Sequence, residues 1–305
     1  MPLVALAPPI PVPLAGGFDY VTVDAARQRV YAAHTGAKAL LIVDSKSGAV
    51  LGQVPVGPMH GVAVDPATGH VYTGNGDDRS ISEVDPVAMK VLRTTNVSGP
   101  VDALVFDPTN GRIYGDEDDG TTLFVVDSKT MKLVKTIVLP GHKPEYLAID
   151  PVTHAVYQNI SDLAEVATID PNTLAVTSVF KTSELTNNHP LQYDAAFHEI
   201  VVGGANGVMS VYATDGKKKF ETSLGKRFDQ CTLDQSTHVL ACAGSGGLTA
   251  IQIAADVAPK IIATVAVDPG VHTVGIDAVT HDMWVVWATG KVDGSQFVRD
   301  FTLQR

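Results

Sequence analysis

Seven aspartates recur along this chain at nearly equal intervals. Asp24, Asp65, Asp107, Asp150, Asp194, Asp234 and Asp277 stand 41, 42, 43, 44, 40 and 43 residues apart. The third copy, Gly99–Pro140, shows what each interval holds. Alternating apolar residues predict strands over Val101–Phe106, Arg112–Gly115, Thr122–Val126 and Lys132–Leu139, separated by clusters of Asp, Pro, Asn, Gly and Ser. A lone four-stranded sheet has two faces to cover and needs neighbours. A period of about 40–45 residues with four strands per unit is the spacing of a β-propeller blade. The prediction is an all-β, seven-bladed β-propeller of four-stranded antiparallel blades, filling residues 1–305 as one domain.

The four-residue stretch Tyr72-Thr73-Gly74-Asn75 ends a second strand. Looser versions stand at Tyr31-Ala32-Ala33-His34, Tyr114-Gly115-Asp116-Glu117 and Tyr157-Gln158-Asn159-Ile160. On these motifs and the repeat, nearly the whole chain resembles the YVTN-repeat, YncE-like propellers. The resemblance implies architecture more than activity, because many members have no known activity. It also implies export, to the periplasm or outside the cell. Met1–Gly16 lacks the basic n-region of a signal peptide and reads as the start of a mature or truncated chain.

Composition narrows the partners. The net charge is −11, and Lys217-Lys218-Lys219 is the one basic cluster, which argues against nucleic acid and anionic membrane. No apolar run is long enough to insert in a bilayer. Aromatic residues are only 6% of a chain that is 45% hydrophobic, so small and β-branched side chains must fill the blade interfaces. The expected protein is a monomer working on a small molecule.

The seventh copy runs out after its third strand, Phe297–Leu303. Leu3–Val12 aligns with the outer strands of the other copies and is expected to complete that blade, hiding an open sheet edge. Pro8, Pro9, Pro11 and Pro13 suit an outermost strand, where one side needs no donors. The two cysteines, Cys231 and Cys242, flank one hairpin turn in the sixth copy. The expectation is two packed thiols; the alternative is a cross-strand disulfide, which would imply an oxidising compartment.

The chemistry lies five residues before each repeat aspartate. Those positions hold Asp19, His60, Asp102, Glu145, His189, Asp229 and His272. All seven are carboxylates or imidazoles, in a chain of 305 residues with only 33 Asp and Glu and 10 His. In a propeller this is where the innermost strand begins, so the seven converge on the axis. The imidazoles come from blades 2, 5 and 7, as even a spread as seven positions allow. His60, His189 and His272 are therefore expected to ligate one divalent metal ion (Zn²⁺, Mn²⁺, Fe²⁺ or Cu²⁺, with Ca²⁺ less favoured). Asp19 and Asp229 are expected to ligate or to orient the imidazoles. Asp102 and Glu145 are adjacent with no imidazole between them, so like-charge repulsion raises one of them towards neutral pH, and the two are the expected catalytic general base and acid. A polar, water-filled channel mouth and metal-free acid/base catalysis are the alternatives.

Three more residues are candidates for contacting a substrate at that end: His34, His142 and Trp287. Trp287 serves equally well as blade packing. Asp116-Glu117-Asp118-Asp119 reads as a solvated loop, with a Ca²⁺ site as the alternative. Tyr20 and Tyr146 are expected to point sideways into the blades. His70, His154, His198, His238 and His281 fall in the first hairpin turns at the opposite end and read as structural. Two functions stay open: a metal-dependent enzyme of hydrolase, lyase or isomerase type acting on a small molecule or sugar acid, and a binding or scaffold propeller with a structural ion. The site type is similar to that of metal-dependent propeller lyases and lactonases, by analogy of site rather than of sequence.

Overall fold

A computed structural model describes residues 1–304. It contains seven antiparallel sheets; six run from an innermost to an outermost strand in chain order, and the seventh takes its outermost strand from the N-terminus. Blade 3 is typical, with strands Val101–Asp107, Arg112–Glu117, Thr122–Asp127 and Lys132–Val138. Its second strand is longer than expected: it runs through Asp116, which pairs with Leu123 inside the sheet.

The repeat aspartates recur because each caps its own hairpin. One carboxylate oxygen of Asp65, Asp107, Asp150, Asp194, Asp234 and Asp277 accepts the backbone N–H two residues on, at 2.8–3.1 Å. In three blades the other oxygen meets a histidine of the next blade. His154 Nδ1 lies 2.9 Å from Asp107 Oδ2, within ion-pair distance though off the hydrogen-bond angle. His238 Nδ1 and His281 Nδ1 lie 2.7 Å from Asp194 and Asp234. His154, His198, His238 and His281 all have φ between 52° and 65°, in the left-handed turn position that Gly69 and Gly111 occupy in blades 2 and 3. These histidines are structural, as their place in the hairpins suggested.

The N-terminal segment closes the ring. Leu3–Ala5 and Ile10–Val12 both pair with the last strand, Gln296–Leu303, with Leu3 opposite Leu303 and Val12 opposite Gln296. The break between them contains Pro8 and Pro9, which have no N–H to give. The Arg299 Nε donates to the Ala7 carbonyl across the break. Leu3 is buried in the core between blades 6 and 7, and Val12 in the core between blades 7 and 1. One segment thus stitches two interfaces.

The cysteine expectation is corrected. Cys231 and Cys242 sit directly opposite each other on adjacent strands and form a disulfide. Cross-strand register brings the two sulfurs together, and burial alone did not decide between thiol and disulfide. A disulfide points to an oxidising, extracytoplasmic compartment. Among the described residues no helix is long and apolar enough to cross a membrane.

Candidate metal centre

Each innermost strand of blades 1 to 6 is bulged where the ring residue sits. In blade 1, Asp19 N–H donates to the Ala33 carbonyl and Ala33 N–H donates back to Tyr20, so two residues face one. His189 and Pro190 share Gly203 in the same way, and Asp229 and Gln230 share Ala243. In blades 2, 3 and 4 the register slips between Met59 and Val62, Val101 and Leu104, and Glu145 and Leu147. A bulge re-aims side chains that strict alternation would send to opposite faces. Here it lets both the ring residue and the one after it address the channel.

That geometry corrects the reading of Tyr20 and Tyr146. Their rings lie 5.4 Å apart although they belong to blades 1 and 4. They can meet only across the axis, so they plug the channel directly behind the ring. The facing positions of blades 2 and 3 are Gly61 and Ala103, which leave room for the two phenols. The Tyr146 hydroxyl donates to the Cys231 carbonyl at 2.6 Å, which anchors the plug to the disulfide-bearing strand. Beyond the plug a cavity of about 370 Å³ opens towards the turn end, lined by Tyr20, Tyr146, Gln192 and Thr232 among others. The channel is therefore closed behind the ring rather than open as a passage.

Within the ring, one set of three comes close enough to share an ion: Asp19, His60 and Asp102, with ligand atoms within 4.8 Å of one another. His60 Nδ1 is 2.7 Å from Asp19 Oδ2 and 3.7 Å from Asp102 Oδ1. The other Asp19 oxygen accepts from Gln230 Nε2 at 2.7 Å. Gly76 backs the imidazole, because a Cβ there would lie 2.8 Å from His60 Nε2. The three imidazoles do not form a set of this kind. His189 Nε2 instead faces Glu145 Oε2 at 3.1 Å. His272 Nδ1 faces the Gly270 carbonyl at 3.0 Å, and His272 lines a separate pocket with Asp229 and Arg227. The physical reason is reach: side chains spread evenly around seven blades meet their neighbours before they meet across the axis.

The electrostatics are those of an acidic pocket short of cations. Burial, and then the charges of Asp19 and Glu145, hold the Asp102 carboxyl well above the usual carboxylate range. Asp116 is fully buried on its strand, and burial followed by the Asp102 charge raises it in the same way. Gln158 Nε2 donates to one Asp116 oxygen at 2.8 Å, while the other is buried without a partner. The Tyr20 hydroxyl is also buried and unpartnered, its phenol raised by burial and by Asp102 and Asp19. Burial opposes a charged ring at His60, but the hydrogen bond and charge of Asp19 outweigh it and raise the imidazole. At His189 burial is likewise outweighed by Glu145, and the ring is raised to about 9.

The remaining candidates separate. His34 is fully buried, stacked on Phe18 at 4.2 Å, with Nδ1 against Gln53 Oε1 at 2.9 Å and Nε2 against the Gly16 carbonyl at 3.2 Å. It braces the N-terminal segment and cannot touch a substrate. Trp287 is buried against Phe297, so it packs the blade. His142 is exposed at the ring end. The acidic run is not one solvated loop: Asp116 turns inward, whereas Asp119 is exposed and pairs with Lys143 at 3.1 Å. Alternation from Tyr114, two residues earlier on the same strand face, was the available sign that Asp116 is buried. Gln230 carried no such sign except its place one residue after the ring position.

No protein-family model and no curated protein sequence matches the chain. Among solved structures it is similar to Kuenenia stuttgartiensis hydrazine synthase, with a TM-score of 0.79 at 16% identity over 92% of this chain and 95% of that one. At that identity the similarity establishes the seven-bladed architecture alone.

Proposed function

We propose that this protein is a metal-dependent enzyme of hydrolase or lyase type, acting on a small molecule at the ring end, where the tyrosine plug closes the channel. The observation that carries the reading is the Asp19–His60–Asp102 set, lodged among carboxylates that burial and mutual repulsion leave short of positive charge. A divalent cation would relieve that repulsion. One imidazole with two carboxylates is a mixed nitrogen and oxygen donor set that Zn²⁺, Mn²⁺ and Fe²⁺ all accept, and its excess of oxygen donors shifts the balance away from Cu²⁺. Bound there, the ion would polarise a carbonyl or acidify a water. Gln230 fixes the Asp19 carboxylate, and Gly76 leaves room for the His60 ring. Glu145 and His189 form the adjoining proton-carrying pair, with His189 as the charged, acidic member at neutral pH.

The YVTN-like motifs support reading the chain as a divergent YncE-like propeller. That reading and the disulfide together favour the periplasm or the extracellular space. The test is metal analysis of the purified protein, followed by an activity screen against small esters, lactones and sugar acids with each metal. Turnover that depends on the metal and is lost in Glu145→Gln supports the enzyme. A bound ion with no turnover under any metal favours the scaffold function instead. Because Asp19 already raises His60 above its ordinary 6.5, the ion competes with a tightly held proton. Occupancy should fall as pH drops, beginning above pH 6.5.

A further inference from the structure

We infer that the pocket between blades 6 and 7 receives the carboxylate of a small polyhydroxy acid, with Arg227 as its anchor and His272 and Asp229 as acceptors for two of its hydroxyls. The inference rests on the proposed function only for what the bound acid is used for. The pocket holds about 360 Å³ and is lined by Arg227, Asp229, Ser245, Val271 and His272, among others. That volume admits a molecule the size of a monosaccharide acid.

Arg227 is the one cation lining it, and it is uncommitted. Its guanidinium is largely exposed, and its nearest carboxylate, Asp229 Oδ1, is 3.9 Å away, beyond hydrogen-bond range. The guanidinium carries five donors in a planar fork matched to a carboxylate. The backbone that presents it is fixed. Ser245 Oγ donates to the Arg227 carbonyl at 3.0 Å, and Asp229 N–H donates to Ala243 at 2.9 Å. Gly244, at φ 148°, leaves no space for a Cβ, which would fall 2.8 Å from the Arg227 oxygen. Any side chain at that position would lift the Arg227 segment off its support.

The opposite wall supplies a lone pair of fixed direction. A carbonyl can only accept, so the 3.0 Å contact with Gly270 places the hydrogen of a neutral His272 ring on Nδ1 and leaves Nε2 as the acceptor. His272 Nε2 and the Asp229 carboxylate each call for a donor, which two hydroxyls of a polyhydroxy acid provide. Asp229 also offsets part of the Arg227 charge, so a monoanionic carboxylate fits better than a dianionic phosphate. The pocket adjoins the metal centre through one buried residue. Gln230 N–H donates to the His272 carbonyl at 3.2 Å, and its side chain donates to Asp19 at 2.7 Å.

The test is ligand-observed NMR on metal-free and metal-loaded protein with lactate, galacturonate and galactose as probes, and inorganic phosphate as competitor. Galacturonate should bind in both states. Arg227→Met should weaken it at least about tenfold, the loss of a charged hydrogen-bonded pair. Arg227 donates no side-chain hydrogen bond among the described residues, so the variant should fold and hold metal as the wild type does. Galactose, with the ring hydroxyls but no carboxylate, should bind at least tenfold more weakly, and phosphate should not displace the acid at equal concentration. The inference is overturned if no acid binds, if Arg227→Met binds unchanged, if galactose binds equally, or if phosphate displaces the acid. Acid binding through Arg227 in a protein that never holds metal would keep this pocket and discard the metal centre. Metal retention with acid binding indifferent to Arg227 would do the reverse.

Discussion

Both ends of this propeller pair aspartate with histidine, and the pairs behave differently. At the turn end, Asp107, Asp194 and Asp234 each cap their own hairpin with one oxygen and face the next blade's histidine with the other. Each of these carboxylates faces one imidazole, and the pairs sit apart from one another, each at one blade interface. At the ring end, Asp19, His60, Asp102, Glu145 and His189 crowd one axis behind a tyrosine plug. Carboxylates outnumber imidazoles, and one oxygen of the nearby Asp116 has no partner at all. The same two residue types thus make a staple where they are satisfied and a candidate site where they are not. Residue identity does not separate the cases; the balance of charge and donors does.

The largest effect expected concerns neither end but the closure that holds both. Removing residues 1–12 deletes the buried anchors Leu3 and Val12 and exposes the edge of Gln296–Leu303. Two such side chains stabilise by about 1.5–3 kcal/mol each, so the melting temperature should fall by roughly 10 °C. An unchanged thermal melt would break the closure account.

The comparison itself predicts opposite signs. His238→Ala strips a partner from the buried Asp194 carboxylate and should destabilise the protein by about 1–3 kcal/mol, with metal binding untouched. Asp102→Asn removes a charge that the metal-free fold holds only against burial and repulsion. It should stabilise the metal-free protein at neutral pH by about 1–2 kcal/mol while abolishing metal retention, the trade expected at a functional site. Chemical denaturation of both variants decides it. If both destabilise alike, the ends are not different in kind.

A smaller effect follows pH. The His189 ring is raised to about 9 from an ordinary 6.5, so it holds its proton more tightly folded than unfolded. Its contribution to stability should be complete below pH 6.5 and lost as pH rises through about 9. The pairing is partly solvated, so about 3 kcal/mol is an upper bound. Metal-free wild type should therefore lose stability over that window, and His189→Gln should flatten the profile. Smallest is Gly76→Ala, which should weaken metal retention by about tenfold by crowding His60, with the fold intact.

How far the sequence reached depends on which periodicity was being read. The blade count and the closing strand were legible because the repeat aspartates mark a turn whose hydrogen bonding is local. The ring position was legible for the same reason, five residues upstream. Bulges are not local in that sense. Two residues sharing one partner at Asp19–Tyr20 left no mark in the alternation, so Tyr20 and Tyr146 were assigned to the blades rather than to the axis. The bulges also decide which ring residues meet, which is why the even spacing of His60, His189 and His272 suggested a convergence that the side chains do not make. Asp116 was misjudged because four acidic residues in a row resemble a loop, although the strand continues through the first of them. The disulfide needed the register of Cys231 opposite Cys242, which a hairpin of uncertain turn length does not give.

Elemental analysis of the wild type, His60→Ala and His154→Ala, after purification and after reconstitution with Zn²⁺, Mn²⁺ or Fe²⁺, tests the central claim most directly. His60 lies between two carboxylates at the ring end, and His154 faces one at the turn end. The wild type and His154→Ala should each retain one divalent ion per chain, and His60→Ala should retain almost none while melting cooperatively. A wild type that holds no metal, or a His60→Ala that holds as much as His154→Ala, would contradict the account and leave the ring as a polar channel mouth.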